Sequence, residues 1–157
     1  MVTKPEPYKL NAALENAPRN IMKIDFDELK RQLSLFLDSP EAFITLDDLG
    51  YDTAEGDREQ RLLFHTLLLV ENGLISDSKL RIGDPAYVGF VYSSRGIGYR
   101  NVKIRLTQDG HDFAKALYQK PVLERIKKEL ADAPFELVKD VSKQWLTKVI
   151  KERIGIE

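Results

Sequence analysis

The alternation of apolar and polar positions divides the chain into a helical beginning, a strand-rich middle and a helical end. From Asp25, the residues Phe26, Leu29, Leu33, Phe36 and Leu37 recur at helical spacing, with Lys30, Arg31 and Gln32 between them. Acids occupy the first turn, where the helix dipole favours them. This predicts an amphipathic helix that stops at Ser39-Pro40. Ala42–Leu46 is short and apolar and reads as a small strand, and Asp47-Asp48-Leu49-Gly50 reads as a turn. Asp57 is a plausible N-cap for a long helix from Arg58 to Asn72, and Gly73 suits the position after its end.

Beyond Leu74-Ile75 the pattern changes. Ser76–Pro85 reads as a polar connector, and Ala86–Tyr92 as a strand rich in aromatic and β-branched residues. Ser93–Gly98 reads as a hairpin tip. Tyr99–Leu106 alternates, with Val102, Ile104 and Leu106 on one face and Asn101, Lys103 and Arg105 on the other. That predicts one half-buried strand with a basic face. Thr107 is placed to cap a following helix that carries Phe113, Ala114 and Leu117 inward. Pro121 starts another helix, with Val122, Leu123, Ile126 and Leu130 inward. Ala133-Pro134 breaks the pattern before a last helix, Phe135–Arg153, whose apolar positions are Leu137, Val138, Val141, Trp145, Leu146, Val149 and Ile150. Residues 1–24, with Pro5, Pro7 and Pro18, read as an arm with one helical turn near Asn11–Glu15.

Composition narrows the classes. The 157 residues suit one domain with or without an appendage; 43% are hydrophobic and 31% charged, the profile of a globular chain. There is no cysteine, which removes disulfide frameworks, thiolate metal sites and cysteine nucleophiles. The formal net charge is −1, so the chain lacks the overall basic excess that often marks a nucleic-acid binder. The distribution is uneven, however. Asp25 to Arg61 carries eleven acids and four bases, whereas Arg81 to Arg105 carries five bases and one acid. A local patch of this kind steers partners even when net charge is near zero, although a solvated hairpin face is the plainer reading.

The order helix, short strand, helix, hairpin, helix is that of a winged helix-turn-helix with a C-terminal helical extension. HTLLLVENGLI (65–75) resembles the end of a recognition helix in ArsR-type repressors, and IRLTQDGHDFAKAL (104–117) resembles the step after the wing in MarR-type regulators. IDFDELKRQL, ITLDDLGYD, FHTLLLVENGLI, IRLTQDGHDF and FELVKDVSKQWLTKVI, taken in order, are similar to an uncharacterised winged-helix family of bacteria and their phages. The resemblance implies an α+β, mainly helical fold: an arm over 1–24, a winged-helix domain over 25–118 and a helical extension over 119–157. It implies no activity.

Two functional readings follow. In the first, a DNA-binding regulator or mobile-element factor contacts duplex DNA. The wing would supply Arg95, Arg100, Lys103 and Arg105 to phosphates, and the first turn of the long helix would supply Arg58, Gln60 and Arg61. Tyr87, Tyr92 and Tyr99 read as packing more than as phosphate contacts. Against this reading, the register implied by the resemblance turns Leu62, Leu69 and Val70 inward and Gln60, Leu63, Leu67 and Glu71 outward, and leucines do not read base edges. In the second reading, a dimerisation or protein-interaction module uses Leu63, Leu67 and Trp145. Catalysis and cofactors are not expected. His65 and His111 lie in separate helices without metal spacing, Asp47-Asp48 suits a turn, and Gly96–Gly98 lacks the strand-to-helix setting of a dinucleotide loop. The opening residues lack the apolar stretch of a signal peptide, and no apolar run reaches the ~20 residues that cross a bilayer, so a cytoplasmic chain with no membrane partner is expected.

Overall fold

The computed structural model describes residues 21–156. The arm and its Asn11–Glu15 turn, up to residue 20, lie outside the described residues. The rest is a mainly helical α+β structure with two small antiparallel sheets.

Helix α1 spans Phe26–Leu37. The Asp25 carboxylate accepts from the Asp27 and Glu28 amides, satisfying donors that the first turn leaves free. Ile44 forms a single antiparallel bridge with Ile104 where a strand was expected. The turn at Asp47–Leu49 is 3-10 helical. Helix α2 spans Asp57–Glu71. Its N-cap is Gly56, so Asp57 is the first helical residue rather than the cap, and no side chain caps this end. Gly73 follows the helix at φ +67°, as expected.

The strand region differs most from the expectation. Strand β1 is Ile75–Asp77, which takes in the first two residues of what read as connector. Pro85–Val88 is a 3-10 turn, so only Phe90–Tyr92 of the expected Ala86–Tyr92 strand is in a strand, β2 (Phe90–Ser93). Gly89 separates them at φ +116°, and a Cβ there would collide with the Arg100 carbonyl oxygen. Strand β3 is Gly96–Tyr99, which shortens the hairpin tip to Ser94-Arg95. The expected Tyr99–Leu106 strand is broken: residues 100–103 are irregular, and only Ile104–Leu106 forms β4. β4 pairs with β1 from Ile75↔Leu106 to Asp77↔Ile104, and Ile104 also meets Ile44. The β2–β3 hairpin is therefore an excursion between two strands that pair with each other.

Helices α3 (Gln108–Tyr118), α4 (Lys120–Glu129) and α5 (Phe135–Arg153) complete the chain. The Thr107 hydroxyl caps α3 by accepting from the Gly110 amide. α3 packs on α1, and α4 and α5 pack on α3. Val122, Ile126, Val138 and Leu146 belong to the same hydrophobic cluster as Leu29, Leu33, Leu62 and Leu69. Each fully buried aliphatic side chain contributes about 1.5–3 kcal/mol. Leu137 and Ile150, read as inward from spacing alone, are 45% and 41% exposed: the apolar stripe of α5 is wider than the surface that α3 and α4 offer it.

Candidate nucleic-acid interface

The first turn of α2 was expected to present Arg58, Gln60 and Arg61. Gln60 is exposed, but both arginines are tied to α1. Arg58 Nη1 lies 3.2 Å from Glu28 Oε1, and Arg61 Nη2 lies 2.6 Å from Asp25 Oδ2. Glu28 also accepts from the Arg31 guanidinium at 3.0 Å and from Gln32 Nε2 at 2.9 Å. Burial alone raises the Glu28 pKa, but the hydrogen bonds from Arg31 and Gln32 and the charges of Arg31 and Arg58 outweigh it and hold the carboxyl below its usual range. Gln32 continues the network by accepting from the Thr66 hydroxyl at 2.8 Å. The sequence carried a signal for this network that spacing alone did not weigh: Gln32, His65 and Thr66 are polar residues on the apolar faces of neighbouring helices.

His65 is buried between the same helices. Its Nε2 accepts from the Asp25 amide at 2.8 Å, and its Nδ1 lies 2.7 Å from the Arg61 carbonyl oxygen. An amide N–H only donates and a carbonyl only accepts, so Nδ1 carries the single proton and the ring is neutral. Burial pulls its pKa down.

The outward stripe of α2 is also partly covered. Leu63 and Leu67, the candidate protein interface of the second reading, are half-buried against the core. α2 touches the 3-10 turn Pro85–Val88, and Ile82 approaches Gly73 at its C-terminal end. Trp145 is likewise half-buried, with the Arg125 guanidinium stacked 3.8 Å from its ring centroid.

The hairpin region presents a different picture. Arg95 is at the two-residue tip, Arg100 and Lys103 are in the irregular segment, and Arg105 is on β4 between buried Ile104 and Leu106; all four side chains are exposed. Among the described residues, none of the four pairs with a carboxylate, whereas Arg31, Arg58, Arg61, Arg81 and Arg125 all do. No Asp or Glu occurs between Asp84 and Asp109. Arg95 is at the tip as expected, but Arg100, Lys103 and Arg105 do not lie along one strand, because residues 100–103 belong to neither β3 nor β4.

The hairpin root is fixed. Asp47 accepts from the Tyr99 hydroxyl and from Asn101 Nδ2 at 2.7 Å, and its amide donates to Asn101 Oδ1 at 3.1 Å. These bonds hold the Asp47 carboxyl below its ordinary pKa and push the Tyr99 phenol up to about 12. Tyr51 packs beneath, with ring centroids 5.6 Å from Phe90 and 5.4 Å from Tyr99. At the other end of the excursion, Asp77 accepts from the Lys79 and Arg81 amides and from the Arg81 guanidinium, which stacks on Tyr87. Of the three tyrosines, Tyr87 in the 3-10 turn and Tyr99 on β3 are thus engaged, and Tyr92 on β2 stands exposed. Among the described residues, no group of three or more His, Asp or Glu could hold a metal, and no helix is long and apolar enough to cross a membrane. Comparison of the chain with family models, with curated proteins and with solved structures finds no match.

Proposed function

We propose that this chain is a winged-helix DNA-binding protein that grips duplex phosphates through the segment 95–105, as a regulator or a mobile-element-associated factor. One observation carries the reading: four exposed cations without carboxylate partners among the described residues lie on an acid-free stretch. Free guanidinium and ammonium groups neutralise phosphates and release counterions. Cations already paired in the fold would first have to give up those partners. The topology adds support, since Ile44, β4 and β1 lie side by side and α2 leads directly into β1, as in a winged helix.

The same geometry narrows the mode of binding. Arg58 and Arg61 serve α1, so Gln60 is the one side chain of that trio free to meet a base edge. Contacts then position the protein more than they read sequence, and affinity is expected to depend steeply on salt. The alternative module built on Leu63, Leu67 and Trp145 has less support, because those side chains are half-buried.

The test is fluorescence anisotropy of a labelled mixed-sequence duplex at low and physiological salt. Arg95→Ala with Arg100→Ala should weaken binding and lower the slope of log affinity against log salt by about 2, close to one unit for each phosphate that is no longer neutralised. Arg58→Ala should leave that slope unchanged. No binding by the natural chain at low salt, or an unchanged slope in the double variant, overturns the reading.

A further inference from the structure

His65 is a buried titratable group that the phosphate-gripping segment does not use, and it sits where α1 is fastened to α2. Its neutral ring serves as a connector with one acceptor and one donor. Nε2 accepts from the Asp25 amide at 2.8 Å, and Nδ1–H donates to the Arg61 carbonyl at 2.7 Å. The two residues it joins also hold each other, with Arg61 Nη2 2.6 Å from Asp25 Oδ2. Asp25 Oδ1 meanwhile accepts from the Asp27 and Glu28 amides. One residue therefore ties together the imidazole, the guanidinium and the first turn of α1.

A second proton on the ring breaks this arrangement at one atom. An imidazolium donates from both nitrogens, so Nε2–H would face the Asp25 N–H, donor against donor. The side chain is fully covered, so the new charge needs an acceptor from the protein. Asp25 carries one on its own side chain: as its amide swings away, its carboxylate can turn from the Arg61 guanidinium to Nε2–H. Burial opposes protonation, the Arg61 carbonyl and the charges of Glu28 and Asp25 favour it, and the Arg61 charge opposes it. β1 and the 3-10 turn Pro85–Val88 also pack on α2; of their ionisable groups, Asp77 is held by Arg81, and Tyr87 lies under the same guanidinium.

We propose that His65 is a proton-operated latch on Arg61: protonation at Nε2 displaces the Asp25 amide, draws the Asp25 carboxylate onto the imidazolium and releases the Arg61 guanidinium. Arg61 lies in the first turns of α2 beside exposed Gln60. Its release in mild acid adds one free cation to the face proposed above for duplex DNA. The latch rests on the contacts around His65 alone, and its use rests on the DNA-binding reading.

The experiment has two arms, both on the full chain between about pH 7.5 and about pH 5.5, the range in which histidine titrates. In the first, without DNA, nuclear magnetic resonance follows the His65 ring and the Asp25 amide. The amide signal should move upfield with the same midpoint as the ring, as its hydrogen bond is lost. In the second, duplex anisotropy should show a salt slope steeper by about one unit at the lower pH, one further phosphate being neutralised. Arg61→Ala should lose that increment, and so should His65→Gln, whose amide can accept from Asp25 but takes up no proton. His111→Gln, which removes the other histidine, should keep it. Circular dichroism at both pH values confirms that each variant is folded. An Asp25 amide that stays in place while His65 titrates, or a His65 that stays neutral until the fold is lost, overturns the latch. Duplex binding with the same slope at both pH values, or an increment that survives Arg61→Ala, overturns its use on DNA. No duplex binding at either pH overturns the DNA-binding reading instead, and an Asp25 amide that follows His65 then still supports the latch.

Discussion

Gly110 in the first turn of α3 tests how the helical end is joined to the strand region. An alanine Cβ at this position would overlap the Leu74 carbonyl oxygen outright, lie 2.9 Å from the Leu74 carbonyl carbon, and lie 3.2 Å from Leu106 Cδ2. The obstruction is backbone, so no side-chain rotation relieves it. α3 would have to retreat from the α2–β1 corner by about 1.5 Å to reach ordinary van der Waals separation. That retreat strains the Thr107 amide bond to the Leu74 carbonyl at 3.0 Å and the Thr107 hydroxyl bond to the Gly73 carbonyl at 2.7 Å. Each such bond contributes about 1 kcal/mol net. The retreat also loosens Phe113 and Leu106 in the core, and overpacking of this kind costs about 1–3 kcal/mol. Alanine recovers at most about 1 kcal/mol through helix propensity. The expected net loss for Gly110→Ala is about 3 kcal/mol, a large share of the 5–15 kcal/mol typical of a domain. Urea unfolding followed by circular dichroism measures it, with Gly110→Ala at a lower midpoint and an unchanged slope. A variant as stable as the natural chain would refute the claim that this backbone approach is obligatory.

Other consequences follow from the polar contacts. Burial holds the folded-state pKa of His65 below its ordinary value of 6.5, so the unfolded chain takes up the proton first. Its contribution to stability is complete above about pH 6.5 and is lost as pH falls through the folded pKa; urea midpoints should drop between pH 7.5 and 5.5, and much less so in His65→Gln. Glu28→Ala leaves Arg31, Arg58 and Gln32 without their shared acceptor, and because both arginines are more than a third exposed the expected cost is about 2 kcal/mol rather than that of a fully buried pair; a denaturation midpoint equal to the natural chain's would contradict this. Tyr99→Phe with Asn101→Ala should free the hairpin root from Asp47, giving faster amide hydrogen exchange across β2 and β3 while the α1 and α2 amides keep their protection.

The parts legible from spacing were those decided by neighbours a few residues apart. Periodicity puts Leu29 and Leu33 of α1 and Val122 and Ile126 of α4 inward, the register implied by the resemblance puts Leu62 and Leu69 of α2 inward, and all six are buried. The Thr107 cap and the left-handed Gly73 were likewise local features. The strand region was less legible because β-structure is decided by partners. Ala86–Tyr92 has the composition of a strand, but Pro85 and the Asp84 carboxylate, which accepts from the Ala86 amide, start a 3-10 turn instead. Tyr99–Leu106 alternates like one strand, but Tyr99 pairs with Phe90 while Ile104 pairs with Asp77 and Ile44, and the chain must bend between the two sheets. The site divided in the same way. The four cations at 95–105 were identified by type and position. That Arg58 and Arg61 are engaged elsewhere depends on carboxylates 30 and 36 residues away.

The sequence alone determined the helices, most of their inward positions and the concentration of positive charge in one segment, because helix periodicity and charge content act over a few residues. Tertiary structure decided which cations remain available, which apolar side chains stay uncovered and where the hairpin is anchored. Those outcomes depend on pairs such as Asp47 with Tyr99 and Glu28 with Arg58, which lie far apart along the chain and meet only after the core has formed.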